Sequence, residues 1–179
     1  MSLVESAHST DICHLIMAEN LNINKAGTKS EKYRQLAPQI EALIGGEEDA
    51  LANVSNLCAA LHEAFGFLWT GVYRVVGDEL VLGPFQGPVA CTRIKKGKGV
   101  CGTSWQEDKT IVVEDVDAFP GHIACSSLSK SEIVLPIHNA KGEVSGVLDI
   151  DSDQLNAFDN SDAEELRKII ALIEPFNGL

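Results

Sequence analysis

The spacing of apolar side chains changes twice along this chain, and that change most constrains its fold. Up to about residue 65 they recur at the three- and four-residue spacing of a helix; from 67 to 150 they form short alternating or β-branched runs; after 159 helical spacing returns. Helices at both ends of a run of short strands predict an α+β domain with a central antiparallel sheet of about six strands. We expect the N- and C-terminal helices to pack on one sheet face and loops to cover a ligand pocket on the other.

The first helix has a clear predicted start. Thr28 and Glu31 have the spacing of a capping box, and apolar residues follow at helical spacing. Pro38 predicts a kink or a division in this helix. We therefore divide the chain into an N-terminal extension, residues 1–27, with at most one helix within 11–24, and a single domain, residues 28–179.

Turn residues set the remaining boundaries. Gly45-Gly46 ends the first helix and a second covers 47–65; Asp159 or Ser161 caps the last helix. Two hairpins and a connecting region are predicted between them. The expected segments are strands 67–76 and 79–82, strands 89–94 and 110–113, a short helix 100–106, a polar loop 114–130, and strands 132–137 and 143–150.

Charge and composition narrow the class of partner. Fourteen basic and 26 acidic residues give a net charge of −12, which repels nucleic acid and anionic membranes. The chain has no apolar run of about 18 residues and no signal-peptide pattern at its start. We therefore expect a cytoplasmic protein, whose five cysteines serve as redox, metal or core groups rather than structural disulfides.

The cysteines fall into two groups. Cys91, Cys101 and Cys125 each follow Gly or Pro punctuation in predicted loop regions, where functional groups concentrate. Cys13 and Cys58 lie on helical patterns and are predicted to be structural. The predicted helix start beside Cys101 should lower the pKa of its thiol.

Zinc binding is a weaker interpretation of the same thiols. The spacings of ten and 24 residues between the three loop cysteines match no usual zinc ligand pattern, which begins with a closely spaced pair. A mixed site that adds His122 or His138 stays open, as does the role of His122 itself.

Acidic and aromatic residues form a second set. Glu132 opens one predicted strand, while Asp149 and Asp151 lie at i and i+2 on another and therefore share a face. Such carboxylates at strand ends are ordinarily exposed to solvent. If they were buried together, they would repel one another and at least one would hold a proton near neutral pH. Trp69 and Tyr73, at i and i+4, also share a face, which suits either core packing or an aromatic wall.

Five segments, taken in order, resemble the free methionine-R-sulfoxide reductases, a catalytic branch of the GAF family. The resemblance covers about residues 47–173, and one such segment alone would be a weak signal. The segments are LGPFQGPVAC (82–91), GKGVCGT (97–103), PGHIAC (120–125), SEIVLPI (131–137) and GVLDIDS (146–152).

The resemblance implies a GAF catalytic domain that reduces free methionine-R-sulfoxide, with no bound cofactor or metal and with thioredoxin as the usual dithiol reductant. Cys125 matches the attacking cysteine, and Cys91 and Cys101 match the thiols that form disulfides with it. Which of these two is the principal resolving thiol stays open. Asp151, or else Glu132, is the predicted proton donor.

The resemblance also assigns the substrate pocket. The acidic side matches Glu132, Asp149 and Asp151, and the aromatic wall matches Trp69 and Tyr73. A homodimer is expected by analogy with other GAF domains. Two other functions remain as alternatives, a non-catalytic GAF sensor of a small ligand and a zinc-holding regulatory domain.

Overall fold

The computed structural model describes residues 20–123 and 125–174, and its helical layer begins where the capping box predicts. Helix α1 spans Lys29–Ile44, and Thr28 and Glu31 cap it reciprocally. Helix α2 spans Ala50–Phe65, begins at the Asp49 cap and ends at Gly66, whose φ of 69° favours glycine. Both present apolar faces to the same core.

One antiparallel sheet of six strands follows the two helices, in the order β3-β2-β1-β6-β5-β4. Two hairpins, β1 with β2 and β5 with β6, supply its four long strands. Because β1 pairs with β6, the first strand and the last lie side by side at the centre. The strands are β1 Trp69–Val76, β2 Glu79–Gln86, β3 Arg93–Lys95, β4 Ile111–Val113, β5 Ser131–His138 and β6 Val144–Ser152.

The two faces of the sheet pack against different elements. Helices α1, α2 and α4 (Asn160–Ile170) cover one face with an apolar core that includes Leu36, Leu61 and Leu148. Helix α3 (Gly99–Glu107) and the loops around it lie over the other face. The predicted arrangement, with terminal helices on one face and loops on the other, is confirmed.

A buried polar contact joins the first helix to the last. Asp162 is fully buried and accepts hydrogen bonds from Tyr33 Oη at 3.0 Å and from Lys29 Nζ at 2.6 Å. Its Oδ2 also accepts the backbone N–H of Asp159, the N-cap of α4. One carboxylate thus caps its own helix and fixes α1 against it.

Three local expectations differ from the structure. Helix α1 runs unbroken through Pro38, because the fully buried Leu36 and Ile40 on either side pack into one core and outweigh the single lost backbone hydrogen bond. The strand expected at 89–94 is only Arg93–Lys95, so Cys91 lies in irregular backbone. The strand predicted at 79–82 extends to Gln86.

The N-terminal prediction is only partly within the described residues. Residues 20–24 are not helical, and Leu21 and Ile23 pack against the core. The rest of the predicted extension, and Cys13 with it, lies outside the described residues. No described helix is long and apolar enough to span a membrane.

Candidate active site

Strand register brings the predicted acidic and aromatic residues to one face of the sheet. Asp151 on β6 lies opposite Trp69 on β1 and opposite Glu132 on β5. Asp149 lies opposite Gly71 on one side and Val134 on the other. Because directly paired residues of an antiparallel sheet share a face, three strands deliver their side chains to one patch beneath α3.

The three carboxylates are packed together, with Glu132 and Asp149 buried and Asp151 half-buried. Glu132 and Asp149 are 5% and 7% exposed, and Asp149 Oδ1 is buried without a hydrogen-bond partner among the described residues. Burial, followed by the charge of Asp149, raises the pKa of Glu132 well above its usual range. Burial and the Asp151 charge do the same for the pKa of Asp149. The pocket can therefore hold protons near neutral pH and has a strong preference for a cation.

Asp151 is the least perturbed of the three acids. Burial raises its pKa to about 6, while a hydrogen bond from Ser129 Oγ at 2.5 Å opposes that rise. A carboxyl group with a pKa near 6 exchanges protons readily around neutral pH, which suits a general acid. Ser129, 6% exposed, was not anticipated from the sequence, since a serine in a polar loop carries no distinguishing pattern.

Cys101 lies in the first turn of α3 and points into the carboxylates. Its thiol donates a hydrogen bond to Glu132 Oε1, with 3.9 Å between Sγ and the oxygen. The expected lowering of its pKa is wrong: burial, with the charge of Asp149 second, raises the pKa of Cys101 well above its usual range. Desolvation and neighbouring negative charge outweigh the helix N-terminus, so Cys101 is a neutral thiol here.

The other two loop cysteines form a disulfide. Cys91 and Cys125 are bonded, with Cα atoms 5.4 Å apart, whereas Cys101 and Cys58 are free and buried. The structure thus pairs Cys125 with Cys91 and leaves Cys101 among the acids. Cys58 is fully buried on α2, and burial raises its thiol pKa to about 12, in line with a packing role.

An aromatic cluster holds the Cys91 loop. Trp69 stacks near Tyr73 and Phe85, with ring centroids 5.8 and 5.4 Å away. Trp69 Nε1 donates to Pro88 O at 3.1 Å, and Tyr73 Oη donates to Cys91 O at 3.0 Å. The two predicted wall residues therefore also position the disulfide loop.

Gly71 makes this packing possible and was missed in the sequence. A Cβ placed there would lie 2.3 Å from Trp69 Cη2 and 2.5 Å from Phe85 Cβ. The signal that could have found it is a glycine midway between two aromatic residues of a strand, since such glycines mark close approach of other groups.

A small cavity of about 30 Å³, partly open to solvent, lies over the acids. His122 lines it with Nε2 at 3.8 Å from Glu132 Oε2, and burial lowers its pKa. Trp69, Tyr73 and Cys91 are not among the residues that line this cavity; they pack in or against the same cluster as Cys101, which does line it. The lining residues are Ile94, Lys98, Gly99, Val100, Cys101, His122, Ile123, Cys125, Ser129, Glu132, Asp149 and Asp151.

The side chains around the cavity also bear on the alternative that this protein binds zinc. One ligand atom each from Cys101, Glu132 and Asp149 lies within 4.8 Å of the others, a spacing compatible with a metal ion. His138, the other histidine considered, instead contacts Asp108 and Glu174 at the surface and is not among the residues that line the cavity.

The family model for the GAF domain matches residues 49–174, most of the chain. The chain belongs to the GAF family. This GAF protein is 45% identical over 147 residues to the free methionine-R-sulfoxide reductase of Escherichia coli, covering 82% of this chain and 88% of that relative. It is 41% identical over 164 residues to the free methionine-R-sulfoxide reductase of Saccharomyces cerevisiae, covering 87% and 91%.

A solved structure extends the similarity to three dimensions. The free methionine-R-sulfoxide reductase of Neisseria meningitidis, in complex with its substrate, aligns with a TM-score of 0.81 at 52% identity, covering 83% of this chain and 90% of that one. The family resemblance expected from the five segments is confirmed, and the curled six-stranded sheet with its helices is the GAF fold.

Proposed function

We propose that this protein reduces free L-methionine (R)-S-oxide to L-methionine by cysteine chemistry, regenerated by a thioredoxin-type dithiol. One observation carries the proposal: two buried carboxylates, the partly buried Asp151, a free thiol and Cys125 of the disulfide line one small cavity. The similarity to two enzymes named for this reaction, and to a substrate-bound structure of a third, supports the same activity.

The acidic cluster explains a preference for the free amino acid. A free methionine sulfoxide carries an ammonium group, which peptide-bound methionine lacks, and Asp149 Oδ1 has no partner among the described residues. An ammonium seated there supplies the missing donors and separates the repelling carboxylates. The S-methyl group then lies toward Trp69, and backbone donors of the 119–127 loop bind the substrate carboxylate.

Cys125 attacks the sulfoxide sulfur as a thiolate. Asp151 in its protonated form, with Glu132 as the second candidate, gives a proton to the sulfoxide oxygen as the S–O bond lengthens. The oxygen passes to Cys125, which becomes a sulfenic acid, and methionine leaves. Cys101, a neutral thiol that donates a hydrogen bond to Glu132, supplies no nucleophile in this step.

Cys91 resolves the sulfenic acid. Its thiol condenses with Cys125, a water molecule leaves, and the disulfide seen in the structure forms. A reduced dithiol then exchanges with that disulfide and returns two electrons and two protons. Each cycle converts one sulfoxide and one dithiol into methionine, water and one disulfide.

Since this cycle needs a reducing compartment, we place the enzyme in the cytoplasm, and we expect a homodimer by analogy with other GAF domains.

The test measures methionine release from separated free R- and S-sulfoxides and from an N-blocked R-sulfoxide, with dithiothreitol as reductant. We expect turnover of the free R epimer alone. In a single turnover of pre-reduced protein, Cys125→Ser should form no methionine, whereas Cys58→Ser, the matched control, should form one equivalent. No turnover of any sulfoxide by folded, reduced protein would contradict the proposal and favour a ligand-binding GAF sensor.

A further inference from the structure

Exposed apolar side chains are concentrated around the disulfide. Six large hydrophobic side chains are exposed among the described residues, and three of them lie within three positions of Cys91 or Cys125. These are Val89 at 87% exposed, Ile123 at 39% and Leu128 at 59%. We call these three residues the disulfide rim. Single exposed apolar residues are ordinary, but a group around a reactive bond indicates a contact surface.

The disulfide brings the rim residues to one region of the surface. The Cα atoms of Cys91 and Cys125 are 5.4 Å apart. Val89 and Ile123 are each two positions from a bonded cysteine, so their Cα atoms lie within about 7 Å of that cysteine's Cα. Leu128 is three positions from Cys125, within about 11 Å. A partner that reaches the disulfide therefore meets these side chains.

The rim is held in place by the site beneath it. Trp69 donates to Pro88 O and Tyr73 donates to Cys91 O, so hydrogen bonds fix the backbone on both sides of Val89. Ile123 packs over Gly99, with its side-chain carbons 3.4 to 3.5 Å from where a Cβ of Gly99 would lie. A surface fixed before contact loses less entropy on binding.

The basic segment that leads to the rim has a charge opposite to that of the whole protein, and its Lys98 lines the cavity together with Ile123. Four of the 14 basic residues fall within the six positions 93–98, in a chain of net charge −12. Lys95, Lys96 and Lys98 are exposed. Within residues 20–123 and 125–174, none of these three lysines has a carboxylate oxygen within 4.0 Å. The lysines are therefore available to carboxylates of a partner.

We propose that the disulfide rim and these lysines form the docking surface for the protein dithiol that reduces Cys91–Cys125. The inference rests on the proposed function and adds the partner's chemistry: an apolar surface around its attacking thiol, with acidic residues at the edge. The partner's thiolate bonds to one sulfur of the disulfide and the other sulfur leaves as a thiolate. The partner's second thiol then breaks the mixed disulfide, so the partner ends oxidised and both cysteines reduced.

The experiment compares two reductants in the full chain. Turnover of free methionine-R-sulfoxide is measured with dithiothreitol and with thioredoxin kept reduced by its NADPH-dependent reductase. The test variant is Val89→Asp/Leu128→Asp. The control is Leu51→Asp, an exposed apolar residue on helix α2, which packs on the sheet face opposite helix α3. Circular dichroism checks that each variant folds.

We expect the test variant to lose about tenfold or more in kcat/KM for thioredoxin, mostly through KM, since buried apolar contacts dominate such interfaces. Its dithiothreitol-supported rate and both rates of the control should stay within about twofold of wild type. Added salt should raise the KM for thioredoxin and leave the dithiothreitol rate unchanged.

Three results would overturn the docking surface. They are an unchanged kcat/KM for thioredoxin in the test variant, an equal loss with both reductants, or a change in oligomeric state with unchanged thioredoxin kinetics. The last result would assign the rim to self-association. Absence of wild-type turnover with dithiothreitol is a different failure: it contradicts the proposed function itself and the docking surface with it.

Discussion

Replacing Gly71 with alanine adds one carbon at the most crowded point of the candidate site. The new Cβ would lie 2.3 Å from Trp69 Cη2 and 2.5 Å from Phe85 Cβ. Carbon atoms in contact sit at about 3.5 Å or more, so the indole must move by about 1.2 Å. Phe85 Cβ is fixed to the backbone of β2, so relief of that contact needs β1 and β2 to move apart, while the Trp69 side chain must shift as well.

Movement of Trp69 has two consequences. Its hydrogen bond to Pro88 O is displaced, and with it the loop that carries Cys91. The strand positions that carry Asp149 and Asp151 face Gly71 and Trp69, and a shift of about 1 Å there can cost about a hundredfold in rate. We expect Gly71→Ala to lower kcat/KM for free methionine-R-sulfoxide by about 10- to 100-fold and to destabilise the fold by about 1–3 kcal/mol.

The assay is dithiothreitol-supported methionine release, with near-UV circular dichroism to report the packing of the tryptophans. Gly46→Ala is the matched control, because a Cβ at Gly46 meets no atom within 4 Å. If Gly71→Ala keeps kcat/KM within about twofold of wild type while remaining folded, then the position of Trp69 does not control the cavity or the Cys91 loop and this reasoning is refuted.

Three further predictions concern acids and a tyrosine. Because burial raises the pKa of Asp151 to about 6, turnover should fall as the pH rises through about 6, and Asp151→Asn should lower kcat and remove that step from the pH–rate profile. The pKa of Asp149 is raised on folding, so its contribution to stability is present at low pH and lost as the pH rises; Asp149→Asn should therefore raise Tm at pH 8, by about 2–4 °C for each kcal/mol gained, and much less at pH 4. Equal shifts at both pH values in calorimetry would contradict this. Tyr33→Phe removes the hydrogen bond to Asp162 and should lower the free energy of unfolding by about 1 kcal/mol in urea titration, with the dithiothreitol-supported rate unchanged; an unchanged midpoint would show that the contact contributes nothing.

The elements were predictable because their signals are local. The Thr28 and Glu31 capping box depends on residues three apart, and its observed geometry follows from that spacing. The two hairpins follow from alternation interrupted by turn residues, and their turns lie where glycine and asparagine occur. The predicted strand boundaries were less accurate where packing decides whether a segment pairs. Residues 89–92 carry β-branched and small side chains, yet the strand there begins only at Arg93.

The pKa of Cys101 shows where local reasoning fails. A helix start beside a thiol favours the thiolate, and the sequence shows only that feature. The opposing acids come from β5 and β6, more than 30 positions away, and burial removes the water that would stabilise the charge. Only the folded arrangement shows that desolvation wins.

Sequence alone determined the α+β class, the family resemblance and the set of residues that carry the chemistry, because residue type, period and motif are written along the chain. Tertiary structure decided which of those residues meet. It paired Cys125 with Cys91, placed Cys101 among the acids, and showed the fit of Trp69 over Gly71. These are distances between separate strands and loops, and no local pattern sets them because they depend on strand register and on packing against the whole core.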